Sequence, residues 1–126
     1  MTPGWITDAI RRFGERMGLE GFALNARGAA SATFENGYVL ALENGSETLT
    51  VSVRVPAAAD PATMKRLLTV AHWARRTPLP VRAAWLEKSS QALFAAHLAS
   101  RQVTDTALDR AFSALWEVAR GFGGAK

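Results

Sequence analysis

The sequence predicts an α+β fold: a helix, a three-stranded antiparallel meander, a second helix, a two-stranded hairpin and a closing helix, with the helices layered on one twisted antiparallel sheet. Three observations carry this. Leu49, Val51, Val53 and Val55 alternate with Thr48, Thr50, Ser52 and Arg54, the period-two pattern of a strand with one buried face. Two Asn-Gly pairs, in Glu35-Asn36-Gly37 and Asn44-Gly45-Ser46, separate that run from two weaker alternating segments, as hairpin turns do. Elsewhere, apolar residues recur at helical spacing.

Taken in order, Ile6, Ile10, Phe13 and Met17 step by four, three and four and line one side of a helix over Trp5 to Met17, which Gly18 can end in a left-handed conformation. Leu19 to Arg27 has no regular pattern. The meander then spans Gly28 to Val55, with Ala30, Ala32 and Phe34 in its first strand and Tyr38, Leu40 and Leu42 in its second. Pro56 stops the third strand, and Asp60-Pro61 opens a helix with an N-cap acceptor followed by proline at the first helical position. That helix runs to Arg75 or Arg76, because Thr77-Pro78-Leu79-Pro80 cannot continue it. Met64, Leu67, Leu68, Ala71 and Ala74 fall on one stripe, Val70 at its edge and Trp73 nearly opposite. A large aromatic on the far face implies a second buried surface.

Val81 to Glu87 and Gln91 to Leu98 form the second hairpin around Lys88-Ser89-Ser90. Both parities of these strands are apolar, so both faces are expected to be covered. Thr104 or Asp105 caps the last helix, whose stripe is Leu108, Ala111, Phe112, Leu115, Ala119 and Phe122, with Trp116 at the margin and Gly121, Gly123 and Gly124 fraying its end.

The 126 residues fit a single domain over 1–126, with 48% apolar and 21% charged residues and no cysteine for a disulfide or thiolate metal site. The first residues alternate apolar with charged side chains, unlike a secretory signal, and no stretch approaches the ~20 apolar residues of a membrane span, so a soluble intracellular protein is expected. The net charge of +4 invites a basic nucleic-acid-binding module as an alternative, with Arg11-Arg12, Lys65-Arg66 and Arg75-Arg76 as its tight pairs. The other arginines are scattered, which favours a solvated surface.

No catalytic constellation emerges. His72 and His97 stand apart without partners at metal-ligand spacing, Ser89-Ser90 lacks the glycines of a nucleophile elbow, and Gly18-Leu19-Glu20-Gly21 lacks the lysine and strand-to-helix context of a phosphate loop. The carboxylates are dispersed, with none paired as acid and base. Neither an enzyme, a metal nor a cofactor is expected.

The element order, the run Phe34-Glu35-Asn36-Gly37-Tyr38-Val39-Leu40-Ala41-Leu42-Glu43, the strand from Thr48 to Val55 and the helix ending Ala71-His72-Trp73 resemble the class I type III secretion chaperones of Gram-negative bacteria. The resemblance implies a cytoplasmic homodimer that binds the N-terminal region of a secreted effector in extended form, keeps it soluble and export-competent, and meets the secretion machinery transiently. It implies a dimer contact through the middle helix and the strand after it, where Val70, Trp73, Val81 and Trp85 stand. It implies effector grooves beside the first helix, for which Ile6, Ile10 and Phe13, with Leu93 and Phe94 of the late hairpin, are the candidates. Members of that family are typically acidic, and this chain, with an isoelectric point near 10.3, is not.

Overall fold

The computed structural model describes residues 4–74 and 80–123, with the side chains of residues 73 and 74 outside that description. The order is α1 (Gly4–Arg16), β1 (Ala29–Thr33), β2 (Val39–Asn44), β3 (Thr48–Pro56), α2 (Pro61–Ala74), β4 (Arg82–Leu86), β5 (Gln91–Ala99), a short 3-10 turn (Ser100–Gln102) and α3 (Asp105–Gly123). The strands form one antiparallel sheet in the order β1-β2-β3-β5-β4. The expected α+β architecture is the one observed.

The parity of β3 decides where the core lies. Leu49, Val51, Val53 and Val55 are buried, and across the ladder they share a face with Leu40 and Leu42 of β2 and with Ala92, Phe94 and Ala96 of β5. α3 crosses this face over β3 and β5, α1 packs on α3, and α2 packs on α3 and β4. The buried stripe of α3 is Leu108, Ala111, Leu115, Val118, Ala119 and Phe122, and the ring of Phe122 meets that of Phe94 edge-on at 5.6 Å. Thr104 caps α3, its Oγ1 accepting a hydrogen bond from the Ala107 amide at 3.0 Å. The helix runs through Gly121 to Gly123 rather than fraying there.

Two turns differ in kind. Gly37 takes φ +87°, the left-handed conformation that Asn36-Gly37 suggests, whereas Gly45 closes its turn without a positive φ, its amide bonded to the Thr48 carbonyl. In the second hairpin Ser90 takes φ 52° and its hydroxyl donates to the Ala57 carbonyl, tying the turn to the segment after β3.

α2 is rotated from the expected stripe. Thr63 (3% exposed) and Leu67 (7%) face inward with Val70 packed against the core, while Leu68 is 72% exposed. At the helix start Asp60 caps the first turn, accepting the Thr63 amide at 2.7 Å. The end of α2 beyond residue 74, and the side-chain direction of Trp73, lie outside the described residues.

Among the described residues, a helix layer covers only one face of the β4–β5 hairpin. Ala84, Leu86, Leu93 and Ala95 lie on the opposite face from Phe94 and carry no helix layer. No helix of the described chain is long and apolar enough to cross a membrane.

Candidate functional site

β1 is one edge of the sheet, and its ladder with β2 shows which backbone groups face outward. The amide of Asn44 bonds to the Gly28 carbonyl and that of Phe34 to the Tyr38 carbonyl, which mark 28/44 and 34/38 as hydrogen-bonded pairs. Alternation along an antiparallel ladder then turns Ala30 and Ala32 toward β2, and leaves the N–H and C=O of Ala29, Ser31 and Thr33 pointing away from the sheet. Asn25 satisfies the groups of Ala29: its side-chain oxygen accepts the Ala29 amide at 3.1 Å, and its own amide donates to the Ala29 carbonyl at 2.8 Å. Ser31 and Thr33 therefore present two donors and two acceptors on a strand, Ala-Ala-Ser-Ala-Thr, with no large side chain to block approach.

This edge ends at an aromatic cluster. Phe34 and Tyr38 flank the turn after β1, and Phe112 and Trp116 stand one turn apart on α3. The Phe34 and Trp116 rings lie 5.0 Å apart, Tyr38 and Trp116 5.2 Å, and Phe112 and Trp116 5.4 Å, all edge-on or tilted. All four are half-buried. Beside them an open groove of about 550 Å³ follows α3, lined by Phe112, Ser113, Trp116, Glu117 and Arg120. Such a surface offers apolar ring faces with a polar rim, and four backbone groups within one strand's length.

The residues expected to line a groove do not do so. Ile6, Ile10, Phe13 and Phe94 are 0% exposed and close the domain's own core; Phe13 meets the rings of Phe22 and Phe112 at 6.2 and 5.9 Å. Leu93 is half-buried on the other face of the sheet, so the five are not brought together. The reason is that a helix lying on a small domain uses its whole apolar stripe for the core. Of the residues expected at a dimer contact, Val81 is 1% exposed, while Val70 and Trp85 are half-buried and turned against the core. A signal for the aromatic cluster was present in the sequence: Trp116 at the margin of its stripe, four residues after Phe112, and aromatics on both sides of one turn.

A family model of the type III secretory system chaperone SycN matches residues 5–121. The chain belongs to that family. No curated relative matches it by sequence. Among solved structures, the SycN-family chain is similar to the HopA1–SchA chaperone–effector complex, at 17% identity and TM-score 0.74 over 94% of this chain and 92% of that one. It is similar to the ExsC–ExsE complex at 19% identity and TM-score 0.74, over 90% and 87%. A third is the Yersinia pestis type III secretion chaperone SycH with a stable fragment of YscM2, at 19% identity and TM-score 0.66 over 90% and 96%. At these identities the likeness establishes the fold, and the family model establishes the family.

Among the described residues of the basic pairs of this SycN-family chain, Arg11, Arg12 and Arg66 are engaged within the chain. Arg11 pairs with Asp8 and Glu15, and Arg12 and Arg16 reach from α1 to Asp105, with Arg16 also meeting Asp109 on α3. Arg66 lies over the Phe122 ring at 5.4 Å and donates to the Phe122 carbonyl. Arg75 and Arg76 lie outside the described residues. Among the described residues no group of three or more acidic or histidine side chains is placed to hold a metal ion.

Proposed function

We propose that this chain is a non-enzymatic type III secretion chaperone whose β1 edge and aromatic groove hold the N-terminal region of a secreted effector in extended form. The observation that carries it is the unpaired backbone of Ser31 and Thr33 running into the Phe34, Tyr38, Phe112 and Trp116 cluster. A strand added there gains backbone hydrogen bonds that are indifferent to sequence, and alternate side chains that read the ring faces give selection. The family assignment supports the reading, as do the chaperone–effector complexes among similar structures. Work in the cytoplasm and brief contact with the secretion machinery follow from the same reading.

A homodimer belongs to this reading too, with its contact on the face of α2 that leaves Leu68 72% exposed. The test is co-purification of the chain with its effector. Ser31→Pro removes one outward amide and disfavours strand pairing, and Trp116→Ala removes the central ring. Each is expected to release the effector while the chain stays folded and dimeric. Retention by both variants rejects the site.

A further inference from the structure

Asn25 stands at the start of the β1 edge and occupies its first outward position. Its side-chain oxygen accepts the amides of Arg27 and Ala29 at 2.8 and 3.1 Å, and its own amide donates to the Ala29 carbonyl at 2.8 Å. Both outward groups of Ala29 are thus taken by one residue of the same chain. The outward residues of β1 are Ala29, Ser31 and Thr33, so a strand approaching this edge meets two of the three. The hydrogen bonds also place Asn25 in the space that an added strand would take, about 4.8 Å from β1. An anchored segment delivers it there. Phe22 is buried and Leu24 packs against the core, while Gly28, at φ +77°, donates its amide to the Asn25 carbonyl at 2.9 Å and accepts that of Asn44 at 2.8 Å. A side chain at position 28 would be strained by that φ and would stand 3.3 Å from the Asn44 carbonyl.

We propose that Asn25 is a stop on the β1 edge: it limits an added strand to pairing with Ser31 and Thr33, and so hands partner selection to the aromatic groove. This rests on the reading of β1 as the edge that takes an extended chain. Backbone hydrogen bonds are the part of strand addition that is indifferent to sequence, and each further pairing residue adds two of them. An edge open along its whole length would hold any extended chain, β1 of a second copy included. With Ala29 closed, the backbone contribution ends at Ser31, and the rest must come from side chains that reach Phe34, Phe112 and Trp116 beyond Thr33. The side chains of β1 are all small, Ala-Ala-Ser-Ala-Thr, so the limit has to come from outside the strand, and Asn25 supplies it. The partner this fits is a short extended segment with an apolar side chain at the Thr33 end and a chain that turns away from the sheet at the Ala29 end.

The test is amide hydrogen exchange on the full chain, read by NMR. The probe is an acetylated and amidated peptide of alternating Val and Thr, about ten residues long, with Lys at each end for solubility. On the wild-type chain the peptide is expected to slow exchange at Ser31 and Thr33 and to leave Ala29 unchanged, because Ala29 is already bonded. Asn25→Pro removes both the amide and the side-chain oxygen. In that variant Ala29 should exchange roughly fivefold faster or more in the free chain, the scale of one lost hydrogen bond. The peptide should then slow Ala29 together with Ser31 and Thr33 and bind at least roughly fivefold more tightly. Slow exchange at Ala30 and Ala32, whose amides face β2, reports that the sheet is intact. Asn25→Asp keeps the accepting oxygen and should behave as the wild type. Slowing of Ala29 by the peptide on the wild-type chain overturns the proposal, and that arm needs no variant. So does an Asn25→Pro chain in which the peptide slows Ser31 and Thr33 alone, or an Asn25→Asp chain that behaves as Asn25→Pro does. A peptide that slows neither Ser31 nor Thr33 on any of the three chains removes the edge reading itself and the stop with it, so the two failures are told apart.

Discussion

Gly14→Ala tests how α1 is held, and its sign is fixed by geometry. Gly14 is buried inside α1, and a Cβ built on it would lie 2.8 Å from the Phe22 Cβ and 3.2 Å from Phe22 Cδ2. Ordinary carbon contacts are ~3.5–4.0 Å, so the helix and the segment after it must part by several tenths of an ångström. The Phe22 Cβ cannot swing away, because it is fixed to the backbone, and Phe22 is itself 7% exposed against Phe13. Replacing a mid-helix glycine by alanine gains about 1 kcal/mol of helix propensity, and forcing a methyl into a filled contact costs ~1–3 kcal/mol. A net loss of up to about 2 kcal/mol lowers the melting temperature of a domain this size by up to roughly 8 °C. Gly121→Ala is the control: it sits in α3 with nothing within 4 Å of the added atom, and should gain about 0.5 kcal/mol. Thermal unfolding followed by circular dichroism reads both. If Gly14→Ala stabilises as Gly121→Ala does, the close packing of α1 on Phe22 is wrong.

Three further perturbations separate core from surface and read the helix caps. Phe13→Ala should cost ~3–5 kcal/mol by denaturant unfolding, since the ring is fully buried, whereas Trp5→Ala on the same helix, at 56% exposure, should be nearly neutral. Arg16→Ala removes the pairs with Asp105 and Asp109 but should cost under about 1 kcal/mol, with the loss shrinking further in 1 M salt. The hydrogen bond from the Thr63 amide holds the Asp60 carboxyl below its ordinary pKa of 3.8. Its stabilising effect is therefore complete above that ordinary value and is lost as pH falls through the lowered one. Asp60→Asn keeps the capping oxygen without the charge, so the fall in melting temperature between pH 5 and pH 2 should be smaller in that variant; an equal fall shows that Asp60 makes no contribution.

The sheet was legible because strand parity is a strict constraint. A one-residue slip of β3 would expose Leu49, Val51, Val53 and Val55 together, so the alternation fixes both strand and face. The facing of α2 was not legible, because the residue that turns inward at its start is Thr63, a polar side chain that an apolar stripe leaves out. Ile6, Ile10 and Phe13 form the same stripe whether it meets a core or a partner, and only the packing of α1 on α3 and Phe22 decides between them. The aromatic cluster draws on two turn residues and two residues of α3 far apart in sequence, and only the packing of α3 across the sheet brings them together. The apolar parity of the open face of β4 and β5 was legible.

Hydrogen exchange at Ser31 and Thr33, measured on the chain alone and in complex with its effector, addresses the central claim directly. In the free chain these outward amides should exchange fast beside the ladder-bonded amides of Ala30 and Ala32. Strand addition at β1 predicts strong protection of Ser31 and Thr33 in the complex, together with a change in Trp116 fluorescence. A stable complex in which both amides exchange as fast as in the free chain contradicts it.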